Sequence, residues 1–310
     1  AMTAMQATAA GVAAACAGYA WLGRKPQDLG GRVVLLTGAG GTLGRCCALA
    51  FAREGCDLIL WDLCDKDMQA TRDAVLEASP NCRIWLSRVD VSNRATVYVA
   101  AAEAKAAVAP RHVAILVNNA GVAGGGRFLE TEDSRVEATF QVNALAQVWT
   151  CKAFLPAMLE AGFGHIVTVA SMSGLLPVPG MVDYSASKAA AVAFTEGLRR
   201  ELREWHGDAV RTSLVCPAHI KTPLFQGFKQ ALFPSLEPDY VAGHILDCVR
   251  YRREMVTLPQ VADPTVVKGL LPTAAVDAVT RWLGFGRMSD EVDKEYAAGR
   301  VRMMAAPSKL

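Results

Sequence analysis

Short runs of β-branched and aliphatic residues punctuate the chain at 32–37, 57–62, 83–90, 114–118, 165–171, 210–216 and 255–258, and they predict seven strands. Several are apolar on both parities, as in Val33-Val34-Leu35-Leu36 and Ile115-Leu116-Val117. A strand with one wet face alternates, so these runs belong to a sheet covered by helices on both sides. The stretches between them, such as 43–54, 132–161 and 182–205, carry apolar residues at helical spacing with few internal breakers. The rhythm predicts an α/β fold, a single doubly wound domain with a seven-stranded parallel sheet, followed by a C-terminal helical extension.

The pattern divides the chain into a leader at 1–29, the α/β domain at 30–262 and the extension at 263–310. No charge occurs from Ala1 to Gly23, and Arg24 and Lys25 follow at once, the outline of a membrane anchor with its soluble part in the cytosol. Ten of those residues are alanine, which suits a helix lying on a membrane better than a firm span, and an unanchored Ala-rich leader is the plainer reading. Beyond the sixth strand, Leu224-Phe225, Phe228 and Ala231-Leu232-Phe233 place apolar residues where a lid over a pocket would sit. Further on, Ala275, Val276, Val279, Trp282 and Leu283 form one helical stripe, with core packing and membrane contact as its two readings. Ser308-Lys309-Leu310 spells the receptor-read tripeptide for peroxisomal import, so a peroxisome and its import receptor are the expected destination and partner. The anchor reading points instead to an endoplasmic reticulum or lipid-droplet surface facing the cytosol.

Composition narrows the chemistry. With 310 residues and 52% hydrophobic content the chain can bury a large core. The 32 Lys+Arg and 30 Asp+Glu leave a formal charge of only +2, too little for a broad nucleic-acid surface. Nine cysteines include no C-x-x-C pair, and the five histidines fall singly, so neither a zinc site nor a disulfide framework is spelled out. The cysteines read as reduced core filler.

The first strand runs into Thr37-Gly38-Ala39-Gly40-Gly41-Thr42-Leu43-Gly44 and then an apolar helix. Bare backbone at a strand-to-helix turn lets a pyrophosphate approach free N–H groups and the positive end of the helix dipole. Neither G-x-G-x-x-G nor a Walker loop fits the spacing. Asp62, at the end of the second strand, can accept both hydroxyls of an adenosine ribose and would repel a 2′-phosphate, favouring NAD over NADP. Its alternative use is to cap the following helix, a task open also to Asp65 or Asp67, and Arg45 argues mildly for NADP. Tyr184 and Lys188 stand four residues apart, hence on one helical face, where a cation favours phenolate and lowers the tyrosine pKa. Ser171, thirteen residues upstream, closes the fifth strand at the carboxyl edge, where such sheets bind ligands.

With these residues in this order, the chain resembles the short-chain dehydrogenase/reductase family over about residues 30 to 260. The matching residues are Thr37-Gly38 with Gly44, Asp90, Asn118-Asn119-Ala120-Gly121, Asn143, Ser171, Tyr184, Lys188 and Cys216-Pro217 leading to Thr222. The resemblance implies a Rossmann fold in which Tyr184 is the acid/base and Ser171 bonds the reacting oxygen. It implies that Lys188 holds the nicotinamide ribose and that Asn143 supports a water relaying the proton. Gly38, Thr42, Leu43, Gly44, Asp62, Asp90, Val91, Asn118, Ala120, Gly121, Pro217, Ile220 and Thr222 would line the cofactor, together with Tyr184 and Lys188. Two positions depart from the commonest pattern: Thr42 replaces a glycine, and Ala218 follows Pro217. The spacing of Gly38, Gly41 and Gly44 keeps a sugar-nucleotide epimerase as a minor alternative.

The segments 232–234, 256–259, 270–272 and 288–290 are similar to the hydroxysteroid and retinol dehydrogenase branch associated with membranes and lipid droplets. That resemblance implies NAD-dependent interconversion of a lipophilic alcohol (a retinoid, steroid or long-chain fatty alcohol) and its carbonyl compound, in a homodimer. A catalytically silent NAD-binding scaffold is the reading from another class.

Overall fold

The computed structural model describes residues 25–123, 126–225, 235–260 and 264–282, so 1–23, 228, 231–233, Leu283, 288–290 and the terminal tripeptide lie outside them. Seven parallel strands form one sheet: β1 (Val33–Thr37), β2 (Asp57–Asp62), β3 (Ile84–Arg88), β4 (Val113–Asn118), β5 (Gly164–Val169), β6 (Val210–Pro217) and β7 (Met255–Leu258), in the order β3-β2-β1-β4-β5-β6-β7. The winding reverses between β1 and β4, which opens a crevice at their carboxyl ends.

The double-parity apolar runs have a direct structural cause. Val34 and Leu36 face one core with Cys47 and Phe51 of α1 (Thr42–Arg53) and Val241 and Ile245 of α7 (Pro238–Arg250). Val33 and Leu35 face a second core, with Val97 of α3 (Arg94–Val108) and Phe154 of α5 (Ala146–Glu160). The ring of Phe154 lies 5.7 Å from that of Trp61. The other helices are α2 (Asp65–Ala78), α4 (Asp133–Phe140), α6 (Val182–His206), α8 (Pro264–Leu270) and α9 (Thr273–Trp282), and a single helical turn spans Met172–Leu175.

Three expectations change. The helix expected at 132–161 is two helices, α4 and α5, joined by a π turn at Gln141–Leu145. The buried Asn143 carboxamide bonds outside the helix there, which accommodates the wider turn. The fifth strand ends at Val169 rather than at Ser171, which instead caps the single turn by accepting the Ser173 N–H at 3.2 Å. The third strand ends at Arg88, and Asp90 lies beyond it in a turn closed by the Ser92 N–H on its Oδ1 at 2.9 Å.

In the C-terminal extension none of the described apolar side chains is core. Leu270 is 59% exposed and Val279 42%, while Ala275 and Val276 are half-buried. No helix among the described residues is long and apolar enough to cross a membrane.

Candidate active site

The glycine loop packs by close backbone approach. A Cβ on Gly44 would stand 2.1 Å from the Gly38 carbonyl oxygen, and one on Gly38, whose φ is +65°, would stand 2.9 Å from the Ala120 Cα. Thr37 ties the loop to the end of β4: its Oγ1 accepts the Asn119 and Ala120 N–H groups, each at 3.0 Å. Asn119 Nδ2 donates in return to the Thr37 and Gly38 carbonyls at 2.9 and 3.1 Å. The substitution at Thr42 is harmless to this packing, because its side chain is exposed at the first position of α1 while Leu43 beside it is buried. α1 begins at Gly41 with no side-chain cap and no acidic residue in its first turn, unlike α3, whose Asn93 Oδ1 takes two N–H groups. Its amide donors therefore face the crevice bare.

Asp62 does not cap α2, whose N-cap is Cys64. Its Oδ2 accepts the Gly40 N–H at 2.9 Å and its Oδ1 the Cys64 N–H at 3.0 Å, which fixes the carboxylate against the glycine loop. Arg45 turns toward α2, with Nε 3.4 Å from Thr71 Oγ1. Val91 is buried, and Asn118 is held from behind, its Oδ1 accepting from Thr150 Oγ1 at 2.7 Å. On the opposite side of the crevice, Pro217 ends β6 and its carbonyl meets Ser171 Oγ at 3.4 Å. Ile220 is buried in a bridge to Leu236, and the buried Thr222 Oγ1 has no partner among the described residues.

Between these walls sit the reactive groups. Tyr184 and Lys188 are each only 4% exposed, with Lys188 Nζ 5.8 Å from the tyrosine ring centroid. Lys188 Nζ donates to the Val169 carbonyl at 2.9 Å, and Ser171 hydrogen-bonds the Tyr184 side chain. The lowered tyrosine pKa expected from the neighbouring cation is reversed. Burial pushes the Tyr184 phenol up to about 12, against the Ser171 hydrogen bond, and the nearby Cys216 thiol adds to the rise. Burial also pulls Lys188 down to about 8, and Cys216 opposes this. Leaving water penalises phenolate and ammonium alike, and it is the largest cause for both groups.

The Asn143 carboxamide is held at both its oxygen and its nitrogen. Its Oδ1 accepts the Val122 N–H at 2.9 Å, while Nδ2 donates to the Val122 carbonyl at 2.9 Å and to Ser187 Oγ at 3.0 Å. Ser187 Oγ in turn donates to the Tyr184 carbonyl at 2.7 Å, and Gln147 Nε2 donates to the Asn143 carbonyl at 3.3 Å. Gly121 keeps the space between Asn143 and Lys188 open, since a Cβ there would stand 3.3 Å from Asn143 Oδ1 and 3.4 Å from Lys188 Nζ. Sequence reasoning missed Ser173, Gly174, Ser187 and Gln147. For Ser187 the signal was present, three residues after Tyr184 on the same helical face.

A family model described as short chain dehydrogenase matches residues 32–232. The chain belongs to that family. It is 38% identical over 294 residues to retinol dehydrogenase 10 of Bos taurus, covering 85% of this chain and 86% of the relative. It is 36% identical over 271 residues to short-chain dehydrogenase/reductase family 16C member 6 of the same species, covering 86% and 84%. Among solved structures, a short chain dehydrogenase/reductase from Burkholderia phymatum in complex with NAD matches with a TM-score of 0.68 and 28% identity over 92% of this chain and all of the other. A metagenomic short-chain oxidoreductase in complex with NADP matches with a TM-score of 0.62 and 28% identity over 72% and 93%. The protein is thus an NAD(P)-dependent oxidoreductase acting on alcohols, of the retinol and hydroxysteroid dehydrogenase branch. The bare first turn of α1, the unpartnered Thr222 hydroxyl and the gap kept by Gly121 all fit a dinucleotide lying along the crevice.

Proposed function

We propose that the protein interconverts a lipophilic alcohol, of the retinoid, steroid or long-chain fatty type, and its carbonyl compound, with NAD preferred over NADP. The observation that carries the chemistry is the buried cluster of Tyr184, Ser171 and Lys188 at the carboxyl ends of β5 and β6. When bound, the dinucleotide supplies the two-electron acceptor for the hydride on the alcohol carbon, or returns it in the reverse direction. Tyr184 exchanges the proton with the substrate oxygen, and Ser171 Oγ bonds that oxygen and orients it. At neutral pH the resting phenol is protonated, ready to donate to a carbonyl, whereas oxidation first requires loss of that proton. Lys188, anchored on the Val169 carbonyl, keeps donors for the ribose hydroxyls. Both amide hydrogens of Asn143 are taken, so a relay water here would have to donate to its remaining acceptor sites.

The NAD preference is supported by Asp62, whose carboxylate is pinned beside the glycine loop where a ribose would present its hydroxyls. The lipophilic substrate is supported by the two relatives above. The terminal Ser308-Lys309-Leu310 supports peroxisomal import, and pairing of two copies through α5 and α6 is the expected assembly.

A panel of retinol, steroid and fatty alcohols, read at the NADH absorbance with NAD and NADP in parallel, tests the reading. We expect turnover of at least one lipophilic alcohol with NAD ahead of NADP. Tyr184→Phe should lower kcat by at least about 10²-fold while leaving the NAD Kd within a few-fold. Undiminished turnover in that variant would overturn the role of Tyr184. Absence of turnover across the panel would favour a silent scaffold.

A further inference from the structure

A serine hydroxyl carries one proton and two acceptor sites, and the surroundings of Ser171 fill them unequally. The Ser173 N–H donates to Ser171 Oγ at 3.2 Å, and Ser173 Oγ lies 2.8 Å from the same atom. The Ser171 proton has other acceptors within reach, the Tyr184 side chain and the Pro217 carbonyl at 3.4 Å. Both serines are buried, so protein groups rather than bulk water set the direction of these bonds. If Ser171 donated to Ser173, its proton would point away from Tyr184 and it would meet the reacting oxygen with a lone pair. With Ser173 as donor, both acceptor sites of Ser171 are filled and its proton is left for that oxygen.

The place of Ser173 is fixed by the turn that carries it. Met172–Leu175 is closed by the Gly174 N–H on the Ser171 carbonyl at 3.0 Å and by the Leu176 N–H on the Met172 carbonyl at 2.9 Å. On one side Gly174 meets α6, where a Cβ would stand 2.7 Å from the Lys188 carbonyl carbon. On another, Lys268 of α8 donates to the Leu175 carbonyl at 3.0 Å. A hydroxyl on a turn held in this way keeps its aim while substrate and product exchange.

We propose that Ser173 is a positioning residue for the reaction: its hydroxyl donates to Ser171 Oγ and thereby commits the Ser171 proton to the substrate oxygen. The proposal rests on the reading above, in which Ser171 bonds that oxygen. A hydroxyl that accepts a hydrogen bond is polarised into a stronger donor, so the two serines act as a two-link chain ending on the reacting atom. In carbonyl reduction the chain donates to the carbonyl oxygen, and in alcohol oxidation to the oxygen from which Tyr184 takes the proton, so one arrangement serves both directions. Before substrate enters, the same proton faces Tyr184 and favours its phenolate, opposing the burial that favours the phenol.

The test compares the full chain with Ser173→Ala. Oxidation of the panel alcohol that the parent turns over fastest is followed at saturating NAD as a function of pH, and crystal structures of both proteins locate Ser171 Oγ. We expect kcat to fall about threefold to tenfold in the variant, with the NAD Kd within a few-fold of the parent's. The limb on which kcat rises with pH, set by loss of the Tyr184 proton, should move to higher pH because the phenolate loses a committed donor. A variant weakened only in its packing would keep the parent's limb, and that result would overturn the proposal. In the variant crystal Ser171 Oγ should have turned from Tyr184 toward the Pro217 carbonyl. If Ser173→Ala fails to fold, Ser173→Cys, with a weaker donor on a side chain of similar size, should move the limb in the same direction. A parent that oxidises no alcohol of the panel would refute the functional reading alone. The position of Ser171 then decides, and an Oγ that stays beside Tyr184 in Ser173→Ala would overturn the role of Ser173.

Discussion

Burying an ammonium beside a phenol leaves Lys188 with a folded pKa of about 8, below its ordinary 10.5, and that difference must appear in stability. Between those two values the unfolded chain binds the proton and the fold does not. This contribution therefore rises with pH from about 8 to 10.5, and it is lost as pH falls through 8. Lys188→Met removes the titration while keeping an unbranched stem. In urea unfolding at pH 7.5 and 9.5, we expect the variant's stability relative to the parent to be lower at the higher pH. An unchanged difference would show that the ammonium is as well solvated as in the unfolded chain. At this scale Tyr184, Lys188, Ser171 and Asp62 were legible because spacing and strand ends place them. The direction of the tyrosine shift was not, since the burial that governs it and the Cys216 thiol that adds to it come from distant parts of the chain.

The elements meet at glycines whose importance differs sharply within a few residues. Gly44 lies on the inner face of α1 against the Gly38 carbonyl, with 2.1 Å left for a Cβ, whereas at Gly41 the same atom would stand 3.4 Å away with an ordinary backbone conformation. Gly44→Ala should therefore cost on the order of 1–3 kcal/mol and weaken NAD binding at least tenfold, as backbone rather than a flexible side chain must move. Gly41→Ala should stay within about 0.5 kcal/mol. Thermal unfolding and NAD titration of the two variants check the contrast, and equal behaviour would contradict it. Gly174 does the same for the turn after Ser171, where a Cβ would stand 2.7 Å from the Lys188 backbone. The strand pattern and the winding could be read from apolar periodicity, because local alternation reports burial directly. The π turn at Gln141–Leu145 could not: no Pro or Gly marks it, and its cause is the reach of Asn143 to Val122 and Ser187.

Across the whole molecule the buried thiols act together. Eight cysteines in the described residues are free. Burial is the leading cause that raises Cys56, Cys151 and Cys248 to about 12 and Cys82 to about 11, and it raises Cys47 too. Each keeps its proton in the fold at a pH where the unfolded chain, near 9, has given it up. Their stabilisation is complete below pH 9 and is lost as pH climbs toward the folded values. Tyr184 acts in the same sense above pH 10, and Lys188 opposes them alone. The several thiols outweigh the single ammonium, so net stability should fall between pH 9 and 11. Urea midpoints measured in that window under a reducing agent should drop steadily, and Cys151→Ala with Cys248→Ala should flatten the slope even though the fold starts less stable. A parent midpoint that held constant or rose across the window would mean that these thiols are reached by water. The core would then open locally in the layers around α5 and α7, whose packing positions the π turn and the crevice wall.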